Sequence, residues 1–289
     1  MVTYEPETIE DLRAFVAAPG SVRIVEPSRL LNAFRLPGQA DRSLSLMRLP
    51  GPLEPSPSDQ IVRVGASQPL GDVQAALRES RQTLPVWMSD TEAPLAACAS
   101  QSIGALLSMN LPHALMEQHG SWRDWVLGAT WLRADGRLVK AGSSVVKNVA
   151  GYDLHRLMVG ARQTLGILVE VTLRTAPLSA MAEPNLTKSA NLSESAEAPW
   201  TVRRWSRSRW REARDGLARL PGVLDDAACC SATIGEPEPA SEPHDWLVRA
   251  NLGARNLELK DLALIRYMRE LKRVYDPENK LNPGEMGAL

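Results

Sequence analysis

Residues 143–177 read SSVVKNVAGYDLHRLMVGARQTLGILVEVTLRTAP, and the reading of this stretch decides the fold. Asp153 is a good N-cap for the helical run DLHRLMVGA, because a short carboxylate reaches the unpaired amides of a first helical turn. Gly160 ends that run where a left-handed residue costs least. Gly166 then opens GILVEVTLRT, whose β-branched residues alternate with period two and predict a strand closing before Pro177. Loop, short helix, glycine turn and strand together bring backbone amides close to a bound group. The same order also describes an ordinary helix-to-strand connection.

Upstream, helices and strands alternate. PETIEDLRAFVAA, acidic in its first turns, predicts a helix, and SVRIV (21–25) a strand. Leu44 to Leu49 reads as a strand, PGPLEPSPSD (50–59) as a proline-rich turn, and Ile61 to Val64 as another strand. Pro69 starts the helix PLGDVQAALRES, with Leu70, Val73, Ala76 and Leu77 on one face. APLAACASQSIGALLSM (93–109) is helix-like, and WVLGATWLRA and RLVKAG form a hairpin across Asp135-Gly136.

Downstream, residues 178–199 are polar and rich in Ser, Ala, Glu and Pro, the composition of a linker or an edge loop. A small strand-helix-strand-strand unit follows: TVRRW, SRWREARDGLARL, VLDDAACCSATI and DWLVRAN. The amphipathic ELKDLALIRYMRELKRVY then runs into Asp276-Pro277. The pattern is α+β, with units at 1–180 and 200–257, a linker at 181–199, and a terminal helix and tail at 258–289.

Composition narrows the function. The 289 residues are 44% apolar and 23% charged, with a formal net charge of −1, so no overall field favours nucleic acid or an anionic membrane. No apolar run is long enough to span a bilayer, and MVTYEPETIEDL lacks the features of a leader, which sets a cytoplasmic expectation. Of three cysteines, Cys229 and Cys230 are adjacent and would point to opposite faces of a strand. His113, His119, His155 and His244 are scattered without metal-clamp spacing. Trp200, Trp205 and Trp210 alternate with Arg203, Arg204, Arg207, Arg209 and Arg211, which suits a single-stranded nucleic-acid surface or a protein interface. Tryptophans packed inward with arginines snorkelling outward account for the same pattern in a nearly neutral chain.

With GSWRDWVLGATWLRADGRLV (120–139) just upstream, the run KNVAGYDL (147–154) resembles the FAD-binding domain of the vanillyl-alcohol oxidase and D-lactate dehydrogenase type flavoproteins. It is most similar to the FAD-binding subunit of bacterial glycolate oxidase. The similarity runs from about residue 4 to about 180 and resumes in VYDPENKLNPGEM, where Asn282-Pro283-Gly284 matches a family turn. The resemblance implies a two-subdomain FAD-binding fold with a reduced α+β cap domain and non-covalent FAD. Ser102, Ile103, Gly104, Gly120, Asp124, Gly151, Tyr152, Asp153, Gly166 and Ile167 then fall on the adenine or pyrophosphate side. Each also has a structural duty available: turns for the glycines, a cap for Asp153, an ion pair for Arg123 and Asp124. The implied partners are a larger flavoprotein subunit and an iron–sulfur subunit, in a complex that oxidises a short 2-hydroxy acid and meets a membrane only through partners. The metal-assisted members carry a histidine-rich HxGDGNxH stretch that has no match here, and no residue is assigned a catalytic role.

The departures from the family pattern fall where backbone approaches the cofactor. R-G-G-G-T is replaced by Glu26-Pro27-Ser28-Arg29-Leu30, which adds a carboxylate and, through proline, removes a donor. T-I-G-G-A-L-A becomes Ser102 to Ser108 with Ala105 for the second glycine, and N-x-S-G becomes Asn110-Leu111-Pro112-His113. G-S-x-G-T-L-G becomes Gly160-Ala161-Arg162-Gln163-Thr164-Leu165-Gly166. A Cβ at a left-handed position costs ~1–2 kcal/mol. The sequence therefore holds two readings, an FAD-binding subunit with weak affinity and a non-catalytic scaffold that has lost FAD.

Overall fold

Two sheets and the helices between them make the frame of the site. In a computed structural model, residues 2–25, 39–86, 88–89, 97–110, 115, 119–143, 153–181, 200–204, 223–226, 231–234, 246–250 and 262–285 are described. The first sheet is parallel, with Arg42–Leu44 between Thr3–Tyr4 and Val22–Ile24. Thr8 accepts from the amide of Asp11 at 3.0 Å and so starts the helix Ile9–Ala17, which buries Leu12 and Val16 against this sheet.

The second sheet is antiparallel, in the order Leu138–Gly142, Val126–Leu132, Ile167–Arg174, Ile61–Gly65, Leu53–Ser56. Its inward residues alternate as the sequence pattern requires: Val62, Val64, Ala129, Trp131, Val171 and Leu173 pack with Leu70, Val73 and Leu77 of the helix Leu70–Glu79 and with Ile103 and Leu107 of the helix Ile103–Met109. Leu132, Ala134 and Ile167 lie at the end of this sheet but belong to the core of the first, so the two sheets are welded at that point. A third, four-stranded antiparallel sheet has the order Val223–Asp226, Ser231–Ile234, Trp200–Arg204, Trp246–Ala250.

Several expectations need correction. DLHRLMVGA forms only a single 3-10 turn, Leu154–Leu157, and the Asp153 side chain makes no cap bond; it pairs with Arg156 at 3.4 Å instead. His155 of that turn is buried, 3% exposed. PGPLEPSPSD contains the strand Leu53–Ser56, tolerated because prolines sit on a sheet edge. The strand expected at 44–49 is Arg42–Leu44, and only Ile103–Met109 of the 93–109 run is described as helix, while Ala97–Cys98 pairs in parallel with Met88–Ser89. VLDDAACCSATI supplies two paired strands, Val223–Asp226 and Ser231–Ile234, where one was expected. Cys229, Cys230, Trp205 and Trp210 lie outside the described residues.

His155 gives a pH dependence. Burial holds its imidazole below the ordinary 6.5, with Asp153 opposing the shift. The unfolded chain then takes up a proton near pH 6.5 while the folded chain still excludes it. This contribution is complete above about pH 6.5 and is lost as pH falls through the folded value. Urea midpoints of the wild type are expected to fall between pH 7 and 5 more steeply than those of His155→Gln; equal slopes would contradict this assignment.

Candidate functional site

A helix N-terminus attracts anions when its first amides are free. At Ser102–Asn110 they are not free. The Ile103 amide donates to the Gln68 carbonyl at 3.0 Å, that of Gly104 to Ala66 at 2.8 Å, and that of Ala105 to the Ser102 hydroxyl at 3.1 Å. A Cβ on Gly104 would stand 2.9 Å from the Ala66 carbonyl oxygen, so glycine is required for close packing of this helix on the 66–68 segment. Ala105 replaces a family glycine inside the helix, where an added Cβ meets no conformational barrier.

The other end of the helix carries the 160–166 loop. The Gly160 amide donates to Leu107 and that of Arg162 to Ser108, both at 2.9 Å. Arg162 and Gln163 are left-handed, at φ +50° and +56°, and both are buried. The two residues together carry ~2–4 kcal/mol of conformational strain. Gly166 packs against the indole of Trp131; a Cβ there would come to 2.5 Å from Cδ1. Ile167 starts the strand and is fully buried. Around this loop the Gln163 Oε1, Asn110 Oδ1 and Trp131 Nε1 atoms are buried and have no hydrogen-bond partner among the described residues.

What holds the strained loop comes from the other end of the chain. The helix Leu262–Tyr275 runs into Asp276, whose carboxylate accepts from the amides of Lys280 at 2.9 Å and Leu281 at 2.7 Å, and from Lys272 Nζ at 2.7 Å. Lys272 Nζ also donates to the carbonyls of Thr164 at 2.8 Å and Leu281 at 3.0 Å. Burial lowers the Lys272 pKa, and Asp276 opposes that shift. The tail then lies parallel to Val22–Ile24. The Val22 amide donates to Lys280, that of Asn282 to Val22, and the Asn282 side chain accepts from Ile24 at 2.7 Å and donates to the Arg162 carbonyl at 2.8 Å. Glu285 follows, its carboxylate 3.4 Å from both Arg23 and Arg162. Sequence reading missed these roles of Lys272, Asp276, Asn282 and Glu285. The one legible signal was Asn-Pro-Gly itself, since asparagine tolerates the left-handed φ of +43° found at Asn282.

The remaining expected positions have local duties. Asp124 accepts from both the amide and the hydroxyl of Ser121 at 2.8 Å, the sequence-expected ion pair with Arg123 being replaced by this cap, and Gly120 at φ +86° makes room for it. Gly151 and Tyr152, with Glu26 to Leu30 and His113, lie outside the described residues. Between the 156–165 segment, the terminal helix and the Asn282 turn is a cavity of about 260 Å³, with Leu157, Val159, Leu165 and Leu271 as apolar walls and Arg123 and Arg156 in its lining.

Two variants test this construction. Gly166→Ala must displace Trp131 and is expected to cost about 1–3 kcal/mol in urea unfolding, like other overpacked cores. Asn282→Ala leaves the buried Ile24 amide and Arg162 carbonyl without that partner, which is expected to cost about 2–4 kcal/mol. A loss below 0.5 kcal/mol (roughly the noise of a surface substitution) would contradict the role given to either residue.

Residues 2–142 match the family model described as FAD binding domain. The chain is 34% identical over 173 residues to D-2-hydroxyglutarate dehydrogenase of Xanthomonas citri pv. viticola, covering 58% of this chain and 35% of that protein. It is 33% identical over 121 residues to glycolate oxidase subunit GlcE of Escherichia coli, covering 42% of this chain and 33% of that one. The matched stretches thus span about a third of these relatives' length. A solved Phl p 4 variant, described as a glucose oxidase, superposes with a TM-score of 0.50 at 13% identity, covering 98% of this chain and 50% of that one, a likeness of fold alone. Residues 2–142 thus match the FAD binding domain family model, and the frame of two welded sheets shares the α+β fold of the Phl p 4 variant.

Proposed function

We propose that this chain is the FAD-binding subunit of a glycolate-oxidase-type complex that oxidises a short 2-hydroxy acid. The observation that carries the proposal is the family match over residues 2–142, supported by relatives named as a glycolate oxidase subunit and a 2-hydroxy-acid dehydrogenase. Substrate oxidation falls to a larger flavoprotein subunit and electrons pass to an iron–sulfur subunit, the assembly being cytoplasmic with any membrane contact made through partners. Among the described residues no helix is long and apolar enough to cross a membrane.

The groups around the 160–166 loop fit part of FAD. Gln163 Oε1 and Asn110 Oδ1 are buried acceptors that need a donor, and Trp131 Nε1 is a buried donor that needs an acceptor. Sugar hydroxyls and an adenine ring supply both kinds of group. Gly166 and Ile167 are proposed to form the wall beside them and Asp153 its edge, with Gly151 and Tyr152 kept as cofactor-binding residues on the resemblance of KNVAGYDL. Ser102, Ile103, Gly104, Gly120 and Asp124 shape that wall; the amides of Ile103, Gly104 and Ala105 do not serve the pyrophosphate while they bond to Gln68, Ala66 and the Ser102 cap. FAD, when bound, supplies two-electron chemistry; the chain's part is to hold it, orient it and exclude water.

A second reading has one observation in its favour. The amides of Ile103, Gly104 and Ala105 are all committed to protein acceptors, and the loop is braced by protein groups, which suits a scaffold subunit that has lost FAD. Visible spectroscopy of the purified chain, alone and with its partner subunits, separates the two. A flavin band near one equivalent is expected; a chain that stays colourless after titration with FAD would establish the scaffold instead.

A further inference from the structure

Glu285 is buried between two guanidiniums that come from different parts of the chain. Arg23 belongs to the strand Val22–Ile24, just before residues 26–30, and Arg162 belongs to the strained loop. The side chains of Arg162 and Glu285 are 4% and 1% exposed and that of Arg23 is 19%, so the carboxylate and one guanidinium are out of water and the other guanidinium is partly in reach of it. Both contacts are 3.4 Å, long against the roughly 2.7–2.9 Å of a tight charge-assisted bond. Converging guanidiniums suit the several oxygens of a phosphate better than the two of a carboxylate. The carboxylate is presented just after Gly284, at φ +83°; the tail is fixed by bonds at Lys280, Leu281 and Asn282, and the Glu285 amide itself donates to the Asn282 carbonyl at 3.2 Å. The tail is thus anchored by bonds that do not involve the Glu285 carboxylate. A buried pair of this kind adds little net stability, because desolvation offsets most of its attraction.

We propose that Arg23 and Arg162 form an oxyanion site for a phosphate or diphosphate group, and that this chain fills it with its own Glu285 carboxylate as a resident counter-anion. The diphosphate of FAD and a free diphosphate are two sources of the same chemistry. Glu285 competes with either, so the loop stays closed without a ligand and affinity for one is low. This deepens the FAD reading, and its anion arm stands independently of it.

The test uses the full chain and the variant Glu285→Gln, which removes the charge and keeps the shape. Thermal unfolding is followed with inorganic pyrophosphate and with sodium chloride at matched ionic strength. The variant is expected to gain at least about 3 °C in pyrophosphate over chloride, and the wild type less than a third of that gain. The double variant Arg162→Met with Glu285→Gln is expected to lose the gain. Equal responses of wild type and variant, or a gain retained in the double variant, would overturn the proposal. If Glu285→Gln does not fold in chloride, refolding in pyrophosphate alone supports the site, and refolding in neither overturns it. In the FAD arm, flavin fluorescence quenching is expected to show binding at least about tenfold tighter in Glu285→Gln than in wild type. If neither binds FAD but the variant responds to pyrophosphate, the FAD reading fails and the oxyanion site stands. If both bind FAD equally and pyrophosphate acts on neither, the site fails and the FAD reading stands.

Discussion

The side-chain amide of Asn282 is the constraint on which the site depends. It accepts from Ile24 in the first sheet and donates to Arg162 in the loop that feeds the second, so a single planar group fixes both sheets to the chain's last turn. Its own backbone extends the parallel sheet beside Val22. Asp276 prepares this placement by gathering Lys272, Lys280 and Leu281 around one carboxylate. Three buried hydrogen-bonding groups on a short tail thus do what a covalent link would do between residues more than a hundred positions apart.

That brace explains how the 160–166 loop keeps a conformation its sequence resists. Glycines are the cheap solution at left-handed positions, and this chain has arginine and glutamine there. The loop is held at Leu107 and Ser108 on one side and by Asn282 and Lys272 on the other, so its shape is overdetermined. The loop ends at Gly166, and the next residue, Ile167, belongs to the buried cluster with Leu132 and Leu281.

Much of the frame was legible in the sequence because it rests on periodicity. The strand Ile167–Arg174 and the Asp135-Gly136 hairpin followed from alternation and turn chemistry, and the terminal helix from its amphipathic pattern. The short turn at 154–157 was not legible, since burial of His155 depends on a sheet that no local window contains. The packing duty of Gly104 was equally hidden, since its close approach to Ala66 depends on a segment that no local window contains. Asn282 and Glu285 were invisible as site residues because their partners lie 120 or more positions away in the chain. Long-range polar contacts leave no periodic trace.

The central claim is that loop and tail form one structural unit. Native-state hydrogen exchange of the wild-type chain under increasing denaturant tests it most directly. The amides of Gly160, Arg162 and Thr164 in the loop, and of Lys280, Leu281 and Asn282 in the tail, are all internally bonded and can be followed separately. The account predicts that the two groups open together, with opening free energies within about 1 kcal/mol and a shared dependence on denaturant. Loop amides that open several kcal/mol (roughly the span between a local and a global opening) below the tail amides would contradict it.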